Sequence, residues 1–500
     1  MERRRRRQLE PRTRTYWNAM PINILEQIFQ LLSIKERHIA SQVCPHWFEL
    51  FYSPFVWSYF TVNDSTLTKR KFNYYLGYQR MIDPFKAQAF MKRFGHTIRH
   101  LVIKPMNNFY SLFEFMKIME SYAQHYEDNP LILLKSFDFT FGCHLSNGDA
   151  MEATDFVGNP IAHRQRMEQR RQQRTQSMRM NQIPNVTLIG TGGKVLEALQ
   201  GLMCQMIGLK HLSLRNLLLN PFEAQNLLDN VAINCCERLQ TLTLINCCNR
   251  PYAFLATGIF LNLHTLVISC SHLSEDVLTL LADTKLNDLY IVQNEFTRTY
   301  DPISNSIWKR FMKCCNNRIR IHLAITHHLP KRWFHDIDNK PTRLNSIIFD
   351  SGYIPLRMAR LMDISDIYGD NLECLAFYQL PKYRVPRSYT ERVDLDLIHL
   401  AECCPRLNTL IIRELISTAT LLIIVTSARN LTRLFVRRNA LRKRFDCIRN
   451  EQWSDTFYEW LRQTSRSYEH TFQAVSDKLG YQWMPLTDDQ FKRVQPDVRF

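Results

Sequence analysis

Glycine is scarce in this 500-residue chain, at 14 residues, well under the usual share of ~7%. That excludes collagen, Gly-rich linkers and a fold built on Gly-dependent turns. The 14 cysteines contain no C-x-x-C spacing, and eight of them fall in four adjacent pairs: Cys235–Cys236, Cys247–Cys248, Cys314–Cys315 and Cys403–Cys404. Neighbouring cysteines suit neither a zinc knuckle nor a disulfide framework, so reduced, buried thiols of an intracellular protein are expected. No apolar stretch follows Arg3 to Arg7, so no secretory signal is expected. No apolar run reaches the ~20 residues of a bilayer span, since Arg413 and Glu414 break the segment from Leu407 to Ala428.

Motifs of catalysis are missing as well. Gly190-Thr191-Gly192-Gly193-Lys194 lacks the first glycine of a phosphate loop, and Val195 stands where Ser or Thr would ligate magnesium. A loop entering a helix near Val195 is the expectation there. His327-His328 has no second ligand pair at metal spacing, and neither H-E-x-x-H nor G-x-S-x-G occurs. No catalytic residue, metal or cofactor is expected.

What the chain does have is 45% hydrophobic and 12% aromatic residues, ample for packed cores, and a net charge of +17. The surplus is localised. Residues 1–14 hold seven Arg against two Glu, 161–182 six Arg against one Glu, and 429–444 seven Lys or Arg with no acid. These clusters account for the whole excess, and the first two lie in segments that read as unstructured. A nucleic-acid-binding domain would spread its charge over a folded face, so nucleic acid is not the expected partner, and neither is a membrane. A soluble, cytoplasmic or nuclear protein is expected, with Arg442-Lys443-Arg444 suited to nuclear import.

A repeat governs the fold. The template L-x-x-L-x-L, with other apolar residues allowed, recurs at Ile98-Leu101-Ile103, Leu134-Phe137-Phe139, Leu209-Leu212-Leu214, Leu239-Leu242-Leu244, Leu263-Leu266-Ile268 and Leu286-Leu289-Ile291. It continues at Leu344-Ile347-Phe349, Leu372-Leu375-Phe377, Leu407-Leu410-Ile412 and Leu431-Leu434-Val436, with a degraded eleventh copy at Ile321-Leu323-Ile325. Most steps stay near the ~20–29 residues of leucine-rich repeats. Helical spacing fills the gaps at 222–234, 274–283, 303–315, 355–367 and 395–403. Each unit thus reads as strand, turn, helix, and stacked units line a face with their strands.

Cys236, Cys247 and Cys404 fall at fixed offsets from the template leucines and are expected in the core. Alternation of strand side chains puts Ser213, Thr243, Val267, Tyr290, Ile348, Ala376, Ile411 and Phe435 on the concave side. There, Tyr290, Tyr378, Arg413, Arg433, Phe435, Arg437 and Arg438 are the candidate ligand-contacting residues. The arginines suit bidentate contact with carboxylate or phosphate. The segment 144–187 has no template, and its Arg- and Gln-rich middle reads as a basic, solvated insertion.

Residues 20–57 do not follow the repeat and read as three short helices. Pro21 suits an opening turn, and Ile24, Leu25, Ile28, Phe29 and Leu32 make an apolar face wider than a small surface helix needs. About 40 residues make a marginal core, so part of that face is expected on a partner.

Met20-Pro21, Ile24-Leu25, Ile28-Phe29, Leu32, Val43-Cys44, Trp47 and Trp57 resemble, in order and spacing, the F-box pattern. The departures are Met20 for the usual Leu, Asn23 where an acid is common, and Pro45 after the Cys. With the repeats, the chain resembles the F-box/leucine-rich-repeat and F-box-only proteins. The resemblance implies an α/β architecture: a small three-helix F-box and a leucine-rich-repeat solenoid, or horseshoe, of about eleven degenerate repeats.

Along the chain the expected order is a basic flexible tail (1–17), the F-box (18–60), a linker and cap (61–97), the repeats (98–441) with the insertion, and a carboxyl-terminal cap and tail (442–500). Trp453, Phe457, Trp460, Tyr481, Trp483 and Met484 supply the apolar content of that cap. The resemblance further implies a non-catalytic adaptor of a Skp–cullin–F-box ubiquitin ligase. The F-box residues just named would bind the Skp-family linker, the cullin scaffold would join through the linker, and the repeats would hold a protein substrate bearing an acidic or phosphorylated segment. Two alternatives remain: a leucine-rich-repeat scaffold associated with RNA, its F-box-like segment only a cap, and an assembly role that keeps linker binding without ubiquitination.

Overall fold

A computed structural model describes residues 20–73, 77–125, 129–145, 187–294, 296–297, 303–326, 343–354, 361–383, 388–447 and 449–496. The tail 1–17, most of the insertion, and His327-His328 lie outside the described residues. The chain divides into two compact units, one of Met1–Leu188 with Gly192–Leu209, the other of Ile189–Thr191 with Lys210–Phe500.

The first unit opens with four helices: α1 (Ile22–Leu31), α2 (Ile34–Ser41), α3 (Pro45–Phe51) and the single turn α4 (Pro54–Trp57). Proline at the start of α3 and α4 costs nothing, because the first helical N–H has no partner to lose. Ser33 and Glu36 close α2 with a reciprocal capping box. Strand β1 (Tyr59–Val62) follows, then a hairpin of β2 (Thr68–Asn73) and β3 (Gly77–Ile82), a helix Pro84–Phe94, and strands β4 (His100–Ile103) and β5 (Ser136–Thr140). β1, β4 and β5 form a parallel ladder in which Phe60, Leu101 and Phe137 stand level, all at most 1% exposed.

The stretch expected to be linker therefore carries a repeat strand. Trp57-x-x-Phe60-x-Val62 fits the same template, hidden because Trp57 also completes the amino-terminal pattern.

In the second unit nine strands form one parallel ladder: His211–Arg215, Thr241–Ile245, Thr265–Ser269, Asp288–Gln293, Arg320–Thr326, Ser346–Asp350, Cys374–Tyr378, Thr409–Ile412 and Arg433–Val436. All eleven templates carry a strand. The degraded copy is the longest of them: Leu289 pairs with Ile321 on one side, while Leu323 pairs with Ile347 on the other. The strand absorbs a two-residue step, and because side chains repeat every second residue no face is flipped.

Strand exits are held in left-handed backbone by asparagine, which tolerates that region (Asn216, φ 60°; Asn246, φ 49°). Asn246 also donates to Asn216 Oδ1 at 3.0 Å and to Asn294 Oδ1 at 2.9 Å, tying three repeats together. The apolar segment after Glu414 is the helix Thr418–Ser427, buried on all sides. No helix among the described residues is long and apolar enough to cross a membrane.

The cysteine pairs split by burial. Cys235, Cys315 and Cys404 are buried while Cys314 and Cys403 are exposed; Cys247 and Cys248 are both buried; and Cys236, expected in the core, is only half-buried because Cys235 takes that place. Burial pushes the Cys404 thiol up to about 12 and raises Cys247 further. Native alkylation with iodoacetamide at neutral pH is expected to label Cys204 and Cys314 and spare Cys247 and Cys404, as read by mass spectrometry. Labelling of Cys247 at the rate of Cys204 would contradict this packing.

Candidate partner-binding surfaces

The amino-terminal module is organised around a buried cation. Arg37, 5% exposed, donates from Nε to the carbonyls of Phe29 (2.9 Å) and Leu32 (3.0 Å), from Nη1 to Val56 (2.9 Å) and from Nη2 to Gln30 (2.7 Å). It therefore satisfies the carboxyl end of α1, whose last carbonyls have no helical partner, and ties it to α4. Its guanidinium lies 4.9 Å from the centre of the Trp57 ring, and burial pulls its pKa down to about 10, still cationic at neutral pH. Trp57 stacks on Phe94 at 4.3 Å and donates its indole N–H to the Phe51 carbonyl at 2.5 Å.

Around this centre α1 is apolar on two sides. Leu25 and Phe29 are fully buried and Leu32 half-buried, at i, i+4 and i+7, with Phe29 edge-on to the half-buried Trp47 at 5.5 Å. The second stripe, Ile24, Ile28 and Leu31, has the same spacing and faces out. Leu31 is 87% exposed, Ile24 is exposed and Ile28 half-buried. Ile39 on α2 and Val43 just beyond it are each 64% exposed.

Of the residues expected to meet a linker, Pro21, Ile24 and Val43 are thus open to solvent, and Met20, Ile28, Leu32, Cys44 and Trp47 are half-buried. Leu25, Phe29 and Trp57 are core, and that part of the expectation is corrected: they support the surface without forming it. Sequence reasoning passed over Leu31 and Ile39, although the wide apolar face of α1 was the available signal.

The expected ligand face of the second unit differs more. Val267, Ile348, Ala376, Tyr378 and Ile411 are all at most 7% exposed and belong to one packed cluster with Ile245, Val292, Ala324 and Phe491; Tyr290, Phe435, Leu486 and Val494 pack against it. Adjacent strands bring these side chains within one ladder spacing of each other, and the cluster is closed by residues from the carboxyl-terminal segment. Leu486 exchanges backbone bonds with Val436 and Arg438, adding one rung beyond the last strand. The indole N–H of buried Trp483 donates to the Leu434 carbonyl at 2.8 Å. Phe491 is 0% exposed. Tyr481 and Met484, expected to cap the last repeat, are exposed instead.

The basic cluster is corrected for the same reason. Arg413 is 0% exposed and donates to the carbonyls of Ser351, Tyr378 (2.6 Å) and Ile354, with Glu414 3.3 Å from Nε. It staples the exits of neighbouring strands and is closed to solvent. Arg437 is held by Asp488 through two bonds of 2.6 and 3.1 Å, leaving it neutralised. Arg433 and Arg438 stay exposed, Arg433 donating to Thr409 Oγ1 at 3.0 Å. Tyr290 is half-buried, stacked on His322 at 4.2 Å, and Tyr378 is core. Alternation of strand side chains names a face but cannot show what packs on it, which is why Asp488 and Phe491 escaped notice.

Residues 17–63 match the family model of the F-box-like domain. Among solved structures, an internalin from Listeria monocytogenes str. 4b F2365 matches at 14% identity and a TM-score of 0.21, over 48% of this chain and 65% of that one. The chain thus spans about two thirds of that protein's length.

Proposed function

We propose that this F-box-like chain is the substrate-recognition adaptor of a Skp–cullin–F-box ubiquitin ligase, with the outward stripe of α1 seated on the Skp-family linker and the cullin joined through it. The observation that carries the reading is the second apolar stripe, Ile24, Ile28 and Leu31, open on a module whose core is already closed by Leu25, Phe29 and Trp57. Exposed apolar side chains at helical spacing match a helix-packing partner. The adaptor performs no chemistry itself. Its contribution is to hold a protein substrate near the charged thioester and so raise the effective concentration of substrate lysines.

The substrate surface changes with the structure. Arg413 is sealed and Arg437 paired, so an acidic or phosphorylated segment would meet the exposed edge formed by Arg433 and Arg438. Co-expression with a Skp-family linker and a cullin tests the adaptor reading. A stoichiometric complex supports it; a chain that purifies alone beside folded linker overturns it.

A further inference from the structure

The β2–β3 hairpin of the first unit is used by neither surface described above. Its register places Arg70 opposite Arg80 and, one step along the same face, Phe72 opposite Tyr78. Like charges directly opposed destabilise a ribbon, and among the described residues no carboxylate pairs with either arginine; both are exposed. The two rings lie 5.2 Å apart at 64°, Phe72 59% and Tyr78 77% exposed. On the other face Lys69 is paired with Asp83 at 3.2 Å and Lys71 is exposed, so what marks the ring-bearing face is the directly opposed arginine pair beside the two rings. Charged residues alone would protect a ribbon edge from aggregation. Two solvent-facing aromatics work against that purpose and ask for another explanation.

We infer that this face binds single-stranded nucleic acid, Arg70 and Arg80 on the backbone phosphates and the Phe72 and Tyr78 rings under the bases. Two strand residues advance about 7 Å, which sets a ring pair beside a cation pair at the separation of a base from its own phosphate. Stacking platforms flanked by cations hold single strands without reading sequence. The sequence between Ser65 and Ile82 contains no acid, and the two that flank it are engaged, Asp83 by Lys69 and Asp64, which shares a cavity with Arg80, by the backbone N–H groups of Asn107 and Asn108. This site is distinct from the two basic clusters expected to be unstructured, and it does not depend on the adaptor reading.

The test is fluorescence anisotropy of the full chain with a labelled oligouridylate across a salt series. Phe72→Ser with Tyr78→Ser is expected to weaken binding by about tenfold or more at unchanged salt slope, since stacking is worth about 1–3 kcal/mol per base. Arg70→Gln with Arg80→Gln is expected to weaken binding and reduce the salt slope by about 1.4, two single-strand phosphates at ~0.7 each. All four side chains are exposed, so the variants should melt with the parent. An oligothymidylate bound equally well assigns the site to single strands generally; weaker binding assigns it to RNA. Affinity unchanged in the ring variant, or a phosphoserine peptide displacing the oligouridylate at lower concentration, would overturn the inference. The assay contains no linker, so its failure is separate from failure of the adaptor reading.

Discussion

Replacing Arg37 with methionine is expected to unfold the amino-terminal module while the second unit stays intact. The substitution keeps an apolar stem and removes a guanidinium that donates to four carbonyls, of which the bonds to Phe29 and Val56 are fully buried. Stranding a buried acceptor of a charged donor costs about 1–3 kcal/mol. With the Phe29 and Val56 carbonyls both stranded the loss is about 2–6 kcal/mol before relaxation. A module of this size has little stability to lose.

Hydrogen exchange of amides 22–57 reads the result directly: fast exchange there, with protection kept in the strands from 211 onward. Arg37→Lys should fall between, because one ammonium has three donors and a compact head that cannot span α1 and α4 together. Unchanged protection in Arg37→Met would show that the four bonds do not hold the module.

The second large effect belongs to the carboxyl-terminal segment. Phe491→Ala removes a fully buried ring from the packed cluster of the second unit, for which about 3–5 kcal/mol is the usual loss. Buried Trp483, the rung at Leu486, the partial packing of Leu486 and Val494 and the Arg437–Asp488 pair hold the rest of the segment, so the expected consequence is local release of its end, not global unfolding. Limited proteolysis should then cut beyond the helix Tyr468–Leu479, and an apolar dye should bind the uncovered cluster.

Acid should act in the same direction. The hydrogen bond from Arg437 holds the Asp488 carboxyl below its ordinary 3.8. The stabilisation is therefore present above that pH and is lost as pH falls through the lowered value. A Phe491→Ala protein with parental melting and proteolysis would contradict the packing described.

How far the sequence disclosed this architecture depends on the range of each signal. The template leucines located every strand of the second unit's nine-stranded ladder, though not the two-residue pair Ile416–Ser417 and Leu441–Arg442, because burial of Leu212, Leu242, Leu266 and their successors is a local, periodic requirement. β1 was obscured by one residue serving two patterns, since Trp57 ends the helical module and begins the strand motif. The hairpin escaped because Lys69-Arg70-Lys71-Phe72 carries no apolar alternation; only the base of its second strand, at buried Ile82, enters the core.

At the candidate sites, composition pointed to the right helix but not to its two sides. Leu25 and Ile24 look equivalent until the rest of the module folds against one of them. Arg413 read as a ligand contact because strand periodicity is blind to the carbonyls of Ser351 and Ile354 that enclose it. The rung at Leu486 joins residues about fifty positions apart through backbone atoms alone, and no side-chain pattern encodes it.

The central claim, that the outward stripe of the F-box-like module seats a linker, is tested most directly by titrating a Skp-family linker against the parent chain and Ile24→Asp with Val43→Asp. Both residues are exposed, so the double variant should keep parental hydrogen exchange over residues 22–57. The account predicts tight one-to-one binding to the parent and a loss of at least about a hundredfold in the variant, as expected for two charges placed in an apolar contact. Equal affinity for both proteins, or no binding to the folded parent, would contradict it.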